Sequence, residues 1–573
     1  MKRIGAIILA LTMALVSVPA LAEKADREIE GNLAVITTAE EFAAGTLENV
    51  VTDETIGDGA IVLAEGATEG VYTSEVLGTV PFEYMVAFWG ADTPDGTSID
   101  VSARAYVDMN KEWTEWLSWG TWSSSIKRCS VSEDTTAAYM DTDTFTIRGS
   151  SGETASKVQI KVTLRANEQG VSPTVRQVGV TYKNTLEGQE ITPLYYGEEV
   201  ELPEKVVLDT PAYSQTVREP GIGSVMCSAT TICVMLNDRG EDLLPEEIAL
   251  IDYDCDYDGF GNWSFSVGAA GSMGYEVYLQ YADLNILRQE LAHGYSVGIN
   301  VKYSSSPNGQ YPYLEGGASS STGGHLITIT GYETIDGVEY FYSSDSAAGS
   351  DPSCVKCYKA DQLDAAWTKK LAYIIHDKEE NVNSINPNRI AAELVSAGEN
   401  EYTLTVNGEA VQINKSFTAA KWNKDGCGII AYYLEGEDAS TVTMPEKVKT
   451  TTANNVFRYT IKGNENGNLT IKSSSIMGGL TKPATLHLFV MTNNGTTYTA
   501  SLELQPNPVE ETPAPTEEPT ATEEVTATEE PTATEAPAEE TSNGLSTGGI
   551  VAIICAVVAA LCGAFVALKK KKQ

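Results

Sequence analysis

The sequence predicts a multidomain chain. A central α+β segment is flanked by two all-β, sandwich-like segments, then followed by a disordered stalk and one transmembrane helix. Three observations carry this expectation. Apolar residues alternate with period two over residues 30–195 and again over 385–505, the spacing of half-buried strands. Residues 200–380 mix helical and strand periods. Beyond residue 505 a Pro-, Thr- and Glu-rich run leads to the uncharged stretch Ile550 to Leu568. The length of 573 residues exceeds one ordinary domain, and a hydrophobic content of 42% supports packed cores.

Residues 1–22 read as a secretory signal. Lys2 and Arg3 open it, Ile4 to Val16 is an apolar run too short for a comfortable span, and Ala20-Leu21-Ala22 forms a small-residue cleavage site. In residues 30–195, Ile99, Val101, Ala103, Ala105 and Val107 alternate, as do Val158, Ile160, Val162 and Leu164, then Val178, Val180 and Tyr182. Trp113, Trp116, Trp119 and Trp122 recur every three residues. They fit an aromatic platform for sugar rings or sandwich core and edge packing, and packing is preferred. In residues 200–380, Ala229, Ile232, Cys233 and Leu236 share a helix face closed by Gly240, and Leu284, Leu287 and Leu291 share another ended by Gly294. Val297 to Val301, His325 to Thr330 and Tyr340 to Ser343 read as strands. In residues 385–505, Tyr402, Leu404 and Val406 alternate. Leu486, Leu488 and Val490 do the same, and Asn494-Gly495 marks a tight hairpin before Tyr498, Ala500 and Leu502, an immunoglobulin-like pattern.

Residues 506–546 repeat a unit that opens Thr520-Ala521-Thr522-Glu523, and they lack the apolar residues to bury a core. Ile550 to Leu568, within an expected span of 548–568, would reach about 28 Å as a helix, enough for a bilayer core. Lys569 to Lys572 act as a stop-transfer signal, which leaves residues 569–573 in the cytoplasm. The expectation is a single-pass cell-membrane protein with extracellular domains on a Gram-positive-type surface, its membrane contact made through the C-terminal helix. The 79 acidic against 38 basic side chains, a net charge of −41, argue against nucleic acid as a partner.

Of nine cysteines, seven lie outside the expected span, so at least one thiol is left unpaired within the monomer. Cys227 follows Gly221-Ile222-Gly223-Ser224-Val225-Met226 and opens the first helix. A helix N-terminus favours a thiolate, the form a nucleophile needs, although a structural or disulfide cysteine fits the position equally. His325 follows Gly323-Gly324 and shares a strand face with Ile327 and Ile329. That places a polar ring at the end of an apolar stripe, as a base or as a satisfied core histidine. Asp345, at the end of the next strand, could accept from one imidazole nitrogen while the other meets Cys227. Gln215, twelve residues before the cysteine, could line an oxyanion hole beside the Cys227 N–H.

Pro211-Ala212-Tyr213-Ser214-Gln215, Cys227-Ser228-Ala229-Thr230, Gly261-Asn262-Trp263-Ser264-Phe265, Gly294-Tyr295-Ser296-Val297, Gly324-His325 and Asp345 occur in that order. Over residues 205–377 this resembles the bacteriocin-leader-peptidase-like group, cysteine peptidase family thirty-nine and its relatives. The preceding segment, with Phe88-Trp89, Trp116, Gly120-Trp122 and Asp141-Thr142-Asp143-Thr144, is similar to the β-domain that precedes such peptidase domains in some bacterial surface proteins. The resemblance implies a papain-like fold for the central segment, with Gln215 as oxyanion donor, Cys227 as nucleophile, His325 as general base and acid, and Asp345 as orienter. No transporter or ATP-binding segment accompanies it, so cleavage during export is not implied.

Asp254-Cys255-Asp256-Tyr257-Asp258-Gly259 has the spacing of a calcium loop, with Asp254, Asp256 and Asp258 as candidate ligands. Phe265 stands where the closing glutamate would be, so a solvated acidic loop is the preferred reading. Cys354 and Cys357 fit a local disulfide or two free thiols; His293 and His376 have no partner motif, and His487, in a strand pattern, reads as a packed or surface histidine rather than a ligand. The expected function is that of a cell-surface cysteine peptidase needing no cofactor, acting on a peptide or protein substrate, cell-wall peptide or glycan included. The alternatives are an adhesin or glycan- or wall-binding protein on a non-catalytic papain-like scaffold, and a peptidoglycan amidase or acyl transferase.

Overall fold

The computed structural model describes residues 26–124, 128–149, 152–185, 191–192, 202–219, 221–382, 389–413, 427–436, 461, 463–472, 482–492 and 496–506. The chain divides into two compact units, Met1–Pro508 and Val509–Gln573, and the second lies outside the described residues. So do the expected signal at 1–22, the Asn494-Gly495 turn, the stalk beyond Pro506, the span at 548–568 and the tail at 569–573.

The N-terminal strands form two eight-stranded sheets. In the first, Ser98–Val107 pairs antiparallel with Ala155–Arg165 along its whole length. Their inward residues, including Val101, Ala103, Val158 and Ile160, are buried and alternate with partly exposed polar residues. In the second, Tyr84–Asp92 lies between Thr144–Ile147 and Thr174–Lys183. Trp119 and Trp122 belong to the shared core, whereas Trp113 and Trp116 lie at the surface with the Arg104 guanidinium 4.7 and 4.9 Å from their rings.

Residues 202–382 contribute a seven-stranded antiparallel sheet in the order Tyr275–Tyr281, Leu371–Lys378, Val297–Ser304, Ser321–Ile335, Val338–Ser344, Val355–Lys359, with Lys205–Val207 also on Ser321–Ile335. The α-helices of the described residues are α1 (Ala39–Ala44), α2 (Cys227–Asp238), α3 (Pro245–Asp252), α4 (Trp263–Ser272), α5 (Leu284–Ala292) and α6 (Ala360–Ala366). Local chemistry sets their ends. Pro245 opens α3 at a position that needs no N–H, Asn262 caps α4 through the Phe265 N–H, and Asp283 caps α5 through the Asn285 and Ile286 N–H groups. Gly240 at φ +104° and Gly294 at φ +86° follow α2 and α5. Two four-stranded sheets complete the unit, one built on Ala484–Thr492 and the other on Glu401–Val406.

The expected α+β papain-like class of the central segment is overturned. Among the described residues 46% lie in strands and 14% in helices, so the molecule is mostly β and a central α+β papain domain is not shown. The packing explains why. Tyr84–Asp92 is buried on both faces because α4 lies on it. The Ser264 hydroxyl donates to the Ala87 carbonyl at 2.6 Å, and Phe265 meets Trp89 and Trp122 at ring separations of 6.1 and 5.4 Å. Gly271 permits the approach, since a Cβ there would come within 2.6 Å of the Trp89 carbonyl oxygen. One hydrophobic core therefore runs from the N-terminal sheets through α2, α3 and α4.

The expected single-pass membrane anchoring finds no support among the described residues, and the expected span at 548–568 lies outside them. No helix among the described residues is long and apolar enough to cross a membrane. The longest, α2, has 12 residues, about 18 Å against the ~30 Å of a bilayer core.

Candidate functional site

Cys227 is the first residue of α2 and is partly exposed. Position alone leaves its N–H without an intrahelical acceptor. The preceding residues 221–226 fold tightly, with the Gly223 N–H donating to the Glu219 carbonyl at 2.7 Å and the Val225 N–H to the Ile222 carbonyl at 2.9 Å. Gly223 passes over Gln215, whose carbonyl oxygen would sit 2.6 Å from any Cβ at that position. Arg218 anchors this stretch to α3 through a buried ion pair with Glu246, Nη2 to Oε2 at 2.7 Å.

His325 is buried on Ser321–Ile335, where Val301 is its cross-strand partner. Its Nε2 meets Asp345 Oδ1 at 2.8 Å. The other face of the relay is the Cys227 sulfur, which hydrogen-bonds the imidazole. Asp345 lies just past Val338–Ser344 and is fully buried. Its Oδ1 also accepts from the Ala347 N–H at 3.1 Å, and its Oδ2 accepts from the Tyr358 and Tyr303 hydroxyls at 2.8 and 3.4 Å. A buried carboxylate with this many donors is held in one orientation.

The electrostatics follow from the contacts. Burial pushes the Cys227 thiol up, but the His325 hydrogen bond and charge, with the Leu326 and Ser228 backbone N–H groups, outweigh it and hold the thiol below its ordinary value. Burial pulls His325 down, but the Asp345 carboxylate and the Cys227 sulfur carry it up to about 10. Burial raises Asp345, and the His325 charge with the hydrogen bonds from His325, Tyr358 and Ala347 brings it below the usual carboxylate range. Both shifts favour the thiolate–imidazolium pair over the neutral thiol and imidazole.

Gln215 is buried in the short 3-10 turn Gln215–Val217. Its side-chain oxygen accepts from the Ser346 hydroxyl at 2.7 Å and its N–H donates to the Ser346 carbonyl at 2.9 Å. With the oxygen engaged, the amide NH2 is the end left to act as a donor. Sequence reading did not find Ser346, Tyr358 or Tyr303; the adjacency of Ser346 to Asp345 was the available signal. Behind the nucleophile, the Ser228 hydroxyl meets those of Ser266 and Tyr373, each at 2.8 Å, and Ser266 reaches Asp252 at 3.1 Å.

The remaining candidates lie elsewhere. Asp254, Asp256 and Asp258 do not converge on a cation: the Asp254 carboxylate accepts from the Ser130, Asp256 and Tyr257 N–H groups and from Asn262 Nδ2. No cluster of three or more metal-ligating side chains occurs among the described residues. Cys129 and Cys255 form a disulfide, and Cys233, Cys354 and Cys357 are free thiols. His376 sits between Glu276 and Glu290, at 3.4 and 2.9 Å. His293 meets the Gln289 carbonyl, and His487 meets Ser501.

Two family models match the chain: the Peptidase C39 N-terminal domain over residues 32–182 and the Peptidase C39 like family over residues 207–373. No curated protein matches. Among solved structures, procathepsin L 3 of the Tenebrio molitor larval midgut is 13% identical over 32% of this chain and 73% of that one, with a TM-score of 0.23. TmCBM61 in complex with β-1,4-galactotriose is 11% identical over 25% and 91%, with a TM-score of 0.16. The CBM22-1–GH10 modules of Clostridium thermocellum xylanase 10B, complexed with xylohexaose, are 13% identical over 27% and 29%, with a TM-score of 0.17. At such TM-scores none of the three carries a structural argument.

Proposed function

Since the chain belongs to the peptidase C39-like family, we propose that it is a cysteine peptidase whose nucleophile is Cys227, with His325 as general acid and base, Asp345 as orienter and Gln215 as oxyanion donor. The family matches support the peptidase type. The single observation that supports these residues is the continuous relay from the Cys227 sulfur through the His325 ring to Asp345.

The chemistry follows from the relay. The thiolate attacks a peptide carbonyl carbon, and the Gln215 amide and the Cys227 N–H face the developing oxyanion. The C–N bond breaks as the imidazolium gives its proton to the departing amine, which leaves a thioester on Cys227 and a neutral imidazole. Water then gives a proton to the imidazole and its oxygen to the acyl carbon; the C–S bond breaks and the thiolate–imidazolium pair is restored. Asp345 keeps its charge throughout and holds the ring. Cys227→Ala in the purified full chain should lower peptide hydrolysis at least about 10³-fold. Unchanged turnover would remove this mechanism.

A further inference from the structure

Packing explains only half of the tryptophan repeat. Trp119 and Trp122 are buried in the shared core, whereas Trp113 and Trp116 stand half-buried on the outward face of the first sheet. The same face carries Arg104 and Tyr106 from Ser98–Val107, and Lys157, Gln159 and Lys161 from Ala155–Arg165, all partly exposed.

The segment that bears the two rings is fixed to the sheet. The Thr114 N–H donates to the Ala105 carbonyl at 2.8 Å, the Ala105 N–H donates to the Thr114 hydroxyl at 3.1 Å, and Thr114 is buried. The Tyr106 and Trp113 rings meet edge to face at 5.6 Å. The Arg104 guanidinium lies 4.7 Å from the Trp113 ring and 4.9 Å from the Trp116 ring, and Lys161 Nζ lies 4.6 Å from the latter. Gln159 locks the guanidinium. Its Oε1 accepts from Arg104 Nε and Nη2 at 3.0 and 2.6 Å, while its Nε2 donates to the Ser74 carbonyl at 3.0 Å. Arg104 Nη1 has no partner among the described residues.

Charge sets this pair of cations apart. In a chain of net charge −41, the neighbouring bases on the face are taken: Lys157 by Asp26, and Arg165 by Asp100 and Glu69. Among the described residues Arg104 and Lys161 have no carboxylate at ion-pair distance, and the exposed Glu112 and Glu115 pair with neither. Both cations are therefore open to an outside anion, in positions set by an indole and an amide.

We propose that this face binds an anionic polysaccharide. The nonpolar side of a sugar ring rests on the indoles of Trp113 and Trp116, and a carboxylate or phosphate on the sugar meets Arg104 and Lys161. The aromatic area favours a sugar over an acidic peptide, which offers an indole no flat apolar side, and two cations are too few for nucleic acid. The site is independent of the chemistry at Cys227.

The test is titration calorimetry on the full chain at low salt. The probes are a galacturonic acid oligomer, its methyl ester, a phosphate-bearing mannan and polyglutamate. Wild type should bind the uronate, the phosphomannan or both, which also tells the carboxylate from the phosphate. It should bind the neutral ester about tenfold more weakly than the uronate, or not at all. Trp116→Ala and Arg104→Gln should each weaken binding about fivefold, and Lys161→Gln about threefold. Near-ultraviolet circular dichroism from the buried Trp119 and Trp122 reports whether each variant keeps its fold. The two glutamine variants, which change partly exposed groups, decide the question where Trp116→Ala does not fold. Absence of binding to both anionic glycans, wild-type affinity in both glutamine variants, or ester or polyglutamate bound as tightly as the anionic glycans would overturn the proposal.

Discussion

The Ser346 hydroxyl donates to the Gln215 side-chain oxygen at 2.7 Å across 131 residues of sequence. Ser346 directly follows Asp345, so one short segment holds both the carboxylate that meets His325 and the Gln215 amide proposed as oxyanion donor. Ser346→Ala should leave Gln215 free to rotate and lower kcat about fivefold to tenfold with KM little changed. Gln215→Ala should lower kcat about 10²-fold. Equal losses in KM would assign Ser346 a merely structural role.

The pH dependence has a definite sign. Peptide turnover should rise through the Cys227 ionisation at a pH below the 9.0 of an ordinary thiol, then fall as His325 loses its proton near pH 10. Asp345→Asn removes the charge that most raises His325, so the upper limb should move to lower pH. A kcat/KM profile measured on both proteins checks this; coincident upper limbs would contradict it.

His376 makes a stability prediction. Burial pulls it down, but hydrogen bonds to Glu276 and Glu290 and their charges raise it to about 9. Its contribution is therefore fully present below the unfolded value near pH 6.5 and lost as pH rises through about 9. His376→Gln should lower the urea midpoint clearly at pH 6 and little at pH 10, the difference amounting to at most ~3 kcal/mol. An equal loss at both pH values would count against the ion-pair account.

The shared core predicts dependence between segments. Gly271→Val pushes a side chain into the Trp89 backbone, where even a Cβ finds 2.6 Å, and should destabilise by about 1–3 kcal/mol or more. For the same reason residues 205–380 expressed alone should fail to fold cooperatively, because α4 loses the strand it covers. A cooperative calorimetric transition from that fragment would contradict the packing described.

These relationships show what the sequence could disclose. Cys227 at a helix start, His325 on an apolar strand face and Asp345 at a strand end are readable because each depends on local periodicity and a few neighbouring glycines. Ser346, Tyr303 and Tyr358 meet Gln215 and Asp345 only through tertiary contacts, which period and spacing do not encode. The Cys129–Cys255 bond spans 126 residues, and its pairing was equally invisible. The expected α+β class of the central segment failed for a related reason. The pattern of α4 reveals that its residues are apolar, but not that the N-terminal strand Tyr84–Asp92 is what they cover.

The most direct test of the account is to find the acyl group. Peptide substrate mixed with the full chain and quenched in acid within one turnover should leave the substrate's acyl portion as a thioester on the peptide containing Cys227. The adduct should disappear in Cys227→Ala. An acyl adduct on any other residue, or hydrolysis at the wild-type rate by Cys227→Ala with no adduct at all, would contradict it.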